Sequence, residues 1–174
     1  GGGVFSAENS YQVFANCLFY ANRVDDSGSG IYCDESSPKL INCTITGNGA
    51  GDVGDGISCN NNSLPELINC IIWNNVGDSI GIYDEGSNPN VSFSCIEAEE
   101  VWPGEGNMNK DPNFVTAGFF DFENYILIRI YGANYFFPDY IFEPGDYHLQ
   151  EGSNCIDAGF PEGVDMGALQ YAVP

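Results

Sequence analysis

Three stretches of this chain repeat one another: Phe14-Ala-Asn-Cys-Leu-Phe-Tyr-Ala-Asn22, Leu40-Ile-Asn-Cys-Thr-Ile-Thr-Gly-Asn48 and Leu67-Ile-Asn-Cys-Ile-Ile-Trp-Asn-Asn75. The cysteines at 17, 43 and 70 are 26 and 27 residues apart. Each stretch leads into a Gly/Asp-rich turn and a Gly-Ile pair, at Gly30, Gly56 and Gly81. Gly3-Val4-Phe5 holds the same place before the first stretch, and a degenerate copy starts at Val91-Ser-Phe-Ser-Cys95. A fixed period of this length means stacked supersecondary units.

The units contain no run long enough, or 3.6-periodic enough, for an ordinary helix. They read as short strands separated by Gly, Asn, Asp and Pro. A coil of this kind cannot bury its apolar face alone; it does so by stacking on identical coils, with strands about 4.8 Å apart. The expected fold is therefore all-β, a right-handed parallel β-helix with coils of about 26 residues. Equivalent residues form rows up the stack: Asn16, Asn42 and Asn69 in one, Asn22, Asn48 and Asn75 in another, with amides bonding their own images. Cys17, Cys43, Cys70 and Cys95 are expected in a further row, facing the core with Phe19, Ile45 and Ile72. The positions two and three before each Cys are both apolar, so alternation does not choose between them. Pro38, Pro65 and Pro89 each open a unit, where a missing N–H does least harm.

The chain is acidic, with 4 Lys+Arg against 25 Asp+Glu and a net charge of −21. That excludes nucleic acid and anionic membrane as partners, and no apolar run reaches spanning length. The turns before the Gly-Ile pairs carry Asp26, Asp52, Asp55 and Asp78, a candidate calcium site, since calcium takes carboxylate oxygens readily. No other cofactor is expected. Of the seven cysteines, the row reads as small buried hydrophobes. Cys33 and Cys59 share a second position, where pairing and burial are equally open. Asn42, Asn61 and Asn90 begin N-x-Ser/Thr tripeptides and are candidate glycosylation sites. The start at Gly1, inside a coil, reads as a processed or truncated product with an open coil end.

After Cys95 the repeat dissolves. One domain is expected, with repeat coils over 1–115, an aromatic insertion over 116–144 and a closing cap over 145–174. The insertion holds Phe119, Phe120, Phe122, Tyr125, Tyr131, Tyr135, Phe136, Phe137, Tyr140 and Phe142.

Asp111-Pro-Asn-Phe-Val, Asp146-Tyr-His-Leu-Gln, Ser153-Asn-Cys-Ile-Asp-Ala-Gly and Asp165-Met-Gly-Ala-Leu-Gln-Tyr resemble the closing motifs of secreted prokaryotic β-helix solenoids of the choice-of-anchor type. The resemblance covers nearly the whole chain except 116–144. It implies an extracellular or cell-surface location and no settled activity, because the fold hosts lyases, hydrolases, adhesins and passive stalks. It also implies that Cys95 and Cys155, both of the closing region, pair as a disulfide across the insertion.

The catalytic inventory is sparse: one His, inside a closing motif, and four basic residues that the repeat does not bring together. The expected function is a non-enzymatic extracellular structural subunit that associates with copies of itself through the open coil end and the ten aromatic residues. A glycan-binding surface or adhesin module is the alternative, with stacking of aromatic faces on sugar rings. A polysaccharide lyase or glycoside hydrolase is the second alternative; it needs two carboxylates in one cleft.

Overall fold

The computed structural model describes residues 2–24, 28–49, 56–116, 119–121, 125–130, 133–138, 141–143 and 145–168; between 117 and 144 it describes the backbone of strands only. Twelve short strands build the stack: β1 (Val4–Ala7), β2 (Val13–Ala15), β3 (Leu18–Tyr20), β4 (Ile31–Asp34), β5 (Lys39–Ile41), β6 (Thr44–Thr46), β7 (Ile57–Asn60), β8 (Glu66–Ile68), β9 (Ile71–Trp73), β10 (Ile80–Ile82), β11 (Asn90–Ser92) and β12 (Cys95–Ile96). They form three parallel sheets, β1-β4-β7-β10, β2-β5-β8-β11 and β3-β6-β9-β12, so each coil gives one strand to each sheet.

The corner between the second and third sheets shows how the repeat makes the coil. Asn16, Asn42, Asn69 and Phe93 stand there with φ between 48° and 56°. A left-handed residue turns the chain sharply, and Asn is among the few non-Gly residues that enter this region readily. On one side of the corner Leu40, Leu67 and Val91 point inward; on the other Ile45, Ile72 and Ile96 do, with Cys43 and Cys70 between. The ambiguity in the sequence is thus resolved: the residue three before Cys is in the core. From the first sheet come Ile31, Ile57 and Ile80, with Cys33 and Cys59. Each fully buried Leu or Ile contributes roughly 1.5–3 kcal/mol, and none of these coils could collect that without its neighbours. Pro38, Pro65 and Pro89 immediately precede β5, β8 and β11, and the carbonyls of Pro38 and Pro65 accept from the next coil.

The second Asn row forms as expected. Asn22 donates through its backbone N–H (3.1 Å) and its Nδ2 (3.0 Å) to Oδ1 of Asn48, and Asn48 donates in the same way to Asn75. This row also explains the recurring glycine. A Cβ on Gly3 would lie 2.6 Å from the Gly30 carbonyl and 2.9 Å from the Asn22 amide, and Gly30 and Gly56 are crowded alike. In the first Asn row, Asn42 reaches Asn16 at 3.4 Å, but Asn69 turns aside to bond both N–H and carbonyl of Phe160.

Two expected registers are corrected. Ile80, not Ile82, stands opposite Ile57, so Ser79-Ile80 takes the Gly-Ile place and Gly81-Ile82 moves on by two. Both isoleucines have the same parity, and this register lays Ile80 over Ile57 in the core. Cys95 does not join the cysteine row: it stands opposite Ile71, and Ser94 takes the row position, its Oγ accepting from Cys70 N–H at 3.0 Å. Val91 over Leu67 and Phe93 at the left-handed corner fix the register. The one-residue slip turns Cys95 out of the stack core.

Beyond β12, residues 101–109 close that end of the stack. Phe93 N–H donates to Glu105, Met108 N–H to Ser94 and Ile96 N–H to Met108, and Trp102 packs against the core. Edge groups of β11 and β12 that would otherwise recruit a foreign strand are thereby paired. At the other end Val4, Phe14, Cys17 and Phe19 pack on the core but are only partly buried.

Six further strands follow: β13 (Phe114–Thr116), β14 (Phe119–Asp121), β15 (Tyr125–Ile130), β16 (Ala133–Pro138), β17 (Ile141–Glu143) and β18 (Asp146–Leu149). They pair β13 with β18, β14 with β17 and β15 with β16, all antiparallel, which makes one nested hairpin. Its base joins a second core on the outer face of the third sheet, where Phe114, Tyr147, Leu149, Cys155 and Met166 pack against Ile71 and Cys95. The closing segment therefore lies along a flank of the stack. Gly167 N–H donates to the Asn69 carbonyl and Ala168 N–H to Thr44 Oγ1.

Candidate functional site

A cleft of about 330 Å³ opens where the turn after β9 meets the chain leaving the last coil. Asn75, Asp78, Ser79, Glu97, Glu99 and Trp102 line it. The elements that hold these side chains differ in kind. Asn75 ends the amide row and is fixed by it, its Nδ2 donating to the Ile45 carbonyl at 3.0 Å. Glu97 follows β12 directly, and its Oε2 accepts from the Asn74 N–H at 2.6 Å. Trp102 is anchored by its packing on the stack core and is neither buried nor fully exposed. Asp78 and Glu99 are exposed.

The cleft thus offers an apolar ring, three carboxylates and an amide, and among the described residues no Lys, Arg or His lines it. Such a surface suits a neutral polyhydroxylated ligand or a cationic one and opposes a polyanion. Glu97, Glu99 and Trp102 lie past Cys95, where the repeat dissolves and periodicity assigns them no place. The available signal was a tryptophan in a Pro/Gly-rich run where the repeat stops, since that residue must cover the last coil.

Of the four candidate calcium ligands, Asp26, Asp52 and Asp55 lie outside the described residues, and only Asp78 is placed. Among the described residues there is no cluster of three or more His, Cys, Asp or Glu arranged to hold a metal. Phe122, Tyr131 and Tyr140 also lie outside them. Phe119, Phe120, Tyr125, Tyr135, Phe136, Phe137 and Phe142 are placed by backbone alone, on the nested hairpin. Asn42 is half-buried, its amide committed to Asn16; Asn61 and Asn90 are exposed. His148 sits at the hairpin base, with Nδ1 2.6 Å from Asp146 Oδ1, which holds the Asp146 carboxyl below its ordinary range.

Every cysteine has another for a neighbour. Cys17, Cys43 and Cys70 follow one another up the row, Cys33 faces Cys59 across β4 and β7, and Cys95 meets Cys155 in the second core. All seven are thiols in this structure.

The family model described as the right-handed β-helix region matches residues 1–98, more than half of the chain. The chain belongs to that family. The family includes polysaccharide lyases and hydrolases, so membership alone leaves catalytic activity open. Comparisons with curated proteins and with solved structures return no match.

Proposed function

We propose that the chain is an extracellular structural subunit that associates with copies of itself through the nested hairpin. The observation that carries this reading is the pairing pattern: β14, β15, β16 and β17 pair only with one another among the described strands, never with a coil. A two-stranded ribbon is marginal in water by itself and gains stability from added strands or a covering surface. Its sequence is dense in Phe, Tyr and Ile, the residues that dominate interface cores. Between 119 and 142 it carries only Asp121, Glu123, Arg129 and Asp139 as charges, in a chain of net charge −21. Copies whose net charge makes them repel one another therefore meet little repulsion there, and the hairpin of a second copy is the occupant of matching chemistry.

The test compares the intact protein with a deletion of 119–142 by light scattering over a concentration series. The intact chain is expected to grow in mass, more strongly at high salt, where repulsion is screened; the deletion is expected to stay monomeric. A monomeric intact chain, or equal growth of both, refutes the reading.

The cleft supports a second reading, a glycan-binding surface, because Trp102 and its acidic neighbours provide a stacking ring and hydroxyl acceptors. The same series run with neutral oligosaccharides, with tryptophan fluorescence as the readout, tests it. A signal that survives Trp102→Ala, or none at all, removes this reading without touching the first.

A further inference from the structure

We infer that Cys95 and Cys155 form a disulfide that clasps the closing segment to the last coil. The two sulfurs come from elements far apart in sequence, β12 and the turn after β18, and both side chains are fully buried in the second core. Their placement is specific. The register slip that removes Cys95 from the cysteine row points it outward, toward the closing segment. On the other side Ser153 accepts from Cys155 N–H at 3.1 Å while donating to the Pro112 carbonyl, which fixes the turn that presents Cys155.

Geometry separates this pair from the other cysteine neighbours. Cys33 and Cys59 stand in register on adjacent parallel strands. Parallel Cβ vectors there are spaced like the strands, at about 4.8 Å, whereas disulfides need Cβ atoms roughly 3.5–4.5 Å apart. Cys17, Cys43 and Cys70 are held by coil spacing in the same way, with N–H donors of Thr44 and Ile71 on the carbonyls of Cys17 and Cys43. Cys95 and Cys155 belong to no common ladder, so nothing holds them at strand spacing.

The chemistry runs by thiol exchange with a disulfide oxidant. Before the closing segment docks both sulfurs meet solvent, and Cys95 serves as the first thiolate. Its thiolate attacks one sulfur of the oxidant and expels a thiolate. Cys155 then loses its proton and attacks the mixed disulfide at Cys95, expelling the second. The protein gives up two protons and two electrons, and one small disulfide becomes two thiols. Because both sulfurs are buried, the bond forms as the closing segment docks.

The test is to refold the reduced chain in a glutathione/glutathione-disulfide buffer, quench with acid, alkylate under denaturing conditions and map peptides without reductant. The expected result is one cross-linked peptide joining Cys95 to Cys155, with the other five of the seven cysteines alkylated. Oxidised protein is expected to melt several degrees above reduced protein, and Cys155→Ser to melt at one temperature in either buffer. Seven alkylated cysteines in folded protein, or a link from Cys95 or Cys155 to any other cysteine, overturns the inference. A redox-dependent melting shift that persists in Cys155→Ser overturns it as well.

Discussion

Asn48 is the position where one amide has most to hold. It has no exposed surface, and its side chain serves three coils. Oδ1 accepts from the Asn22 N–H and Nδ2; Nδ2 lies 3.0 Å from the Phe19 carbonyl, 3.1 Å from that of Thr46 and 3.0 Å from Asn75 Oδ1. Asn48→Ala leaves the N–H and Nδ2 of Asn22 and the carbonyls of Phe19 and Thr46 without this partner. An unsatisfied buried polar group costs about 1–3 kcal/mol, so the substitution, which strands several, is expected to cost at least about 3 kcal/mol. Asn22→Ala removes one donor while Asn48 Oδ1 keeps the backbone N–H, and about 1 kcal/mol is expected. Asn48→Asp retains the accepting oxygen but sets a second acceptor against two carbonyls, so it is expected to resemble the alanine variant. Urea unfolding followed by far-ultraviolet circular dichroism, with the slope checked for constancy, measures all three. If Asn48→Ala loses no more than Asn22→Ala, the amide row is not what joins the coils and the reasoning fails.

Two further outcomes follow from single positions. Gly56→Ala would drive a methyl into the Ser79 backbone carbonyl and to 2.9 Å from Ile72 Cγ2, so it is expected to destabilise by about 3 kcal/mol or more, above the usual range for overpacking because backbone must move, read in the same urea titration. The Asp84 carboxylate accepts from the Ser87 hydroxyl and from the N–H groups of Gly86, Ser87 and Asn62, which lowers its pKa below the ordinary 3.8. A lowered folded value means that its contribution is present above the unfolded carboxyl pKa and is lost as pH falls through the folded one; a carboxyl NMR titration of Asp84 with an ordinary midpoint would refute this.

The coils were legible because stacking makes the sequence report its own geometry. An Asn that returns every coil must meet its image, as Asn48 does, and a Gly that returns must lie where a neighbour leaves no room, as Gly30 does. Registers failed where a signal could be matched in two ways. Ile80-Gly81-Ile82 presents two isoleucines of one parity, so the Gly-Ile pair alone could not choose. At Val91-Ser-Phe-Ser-Cys95 the cysteine was the stronger mark, but the inward Val91 and the left-handed Phe93 decide the pairing, and those signals are visible only against Leu67 and Asn69. The cleft was hidden because its walls come from the first segment that does not repeat. The hairpin was hidden because antiparallel pairing has no period to betray it. The misread cysteine carries the most consequence. A fourth Cys in the row would have been one more small side chain in the core. Moved by one residue, it faces the closing segment, and the coil that breaks the repeat becomes the one to which the rest of the chain is fastened.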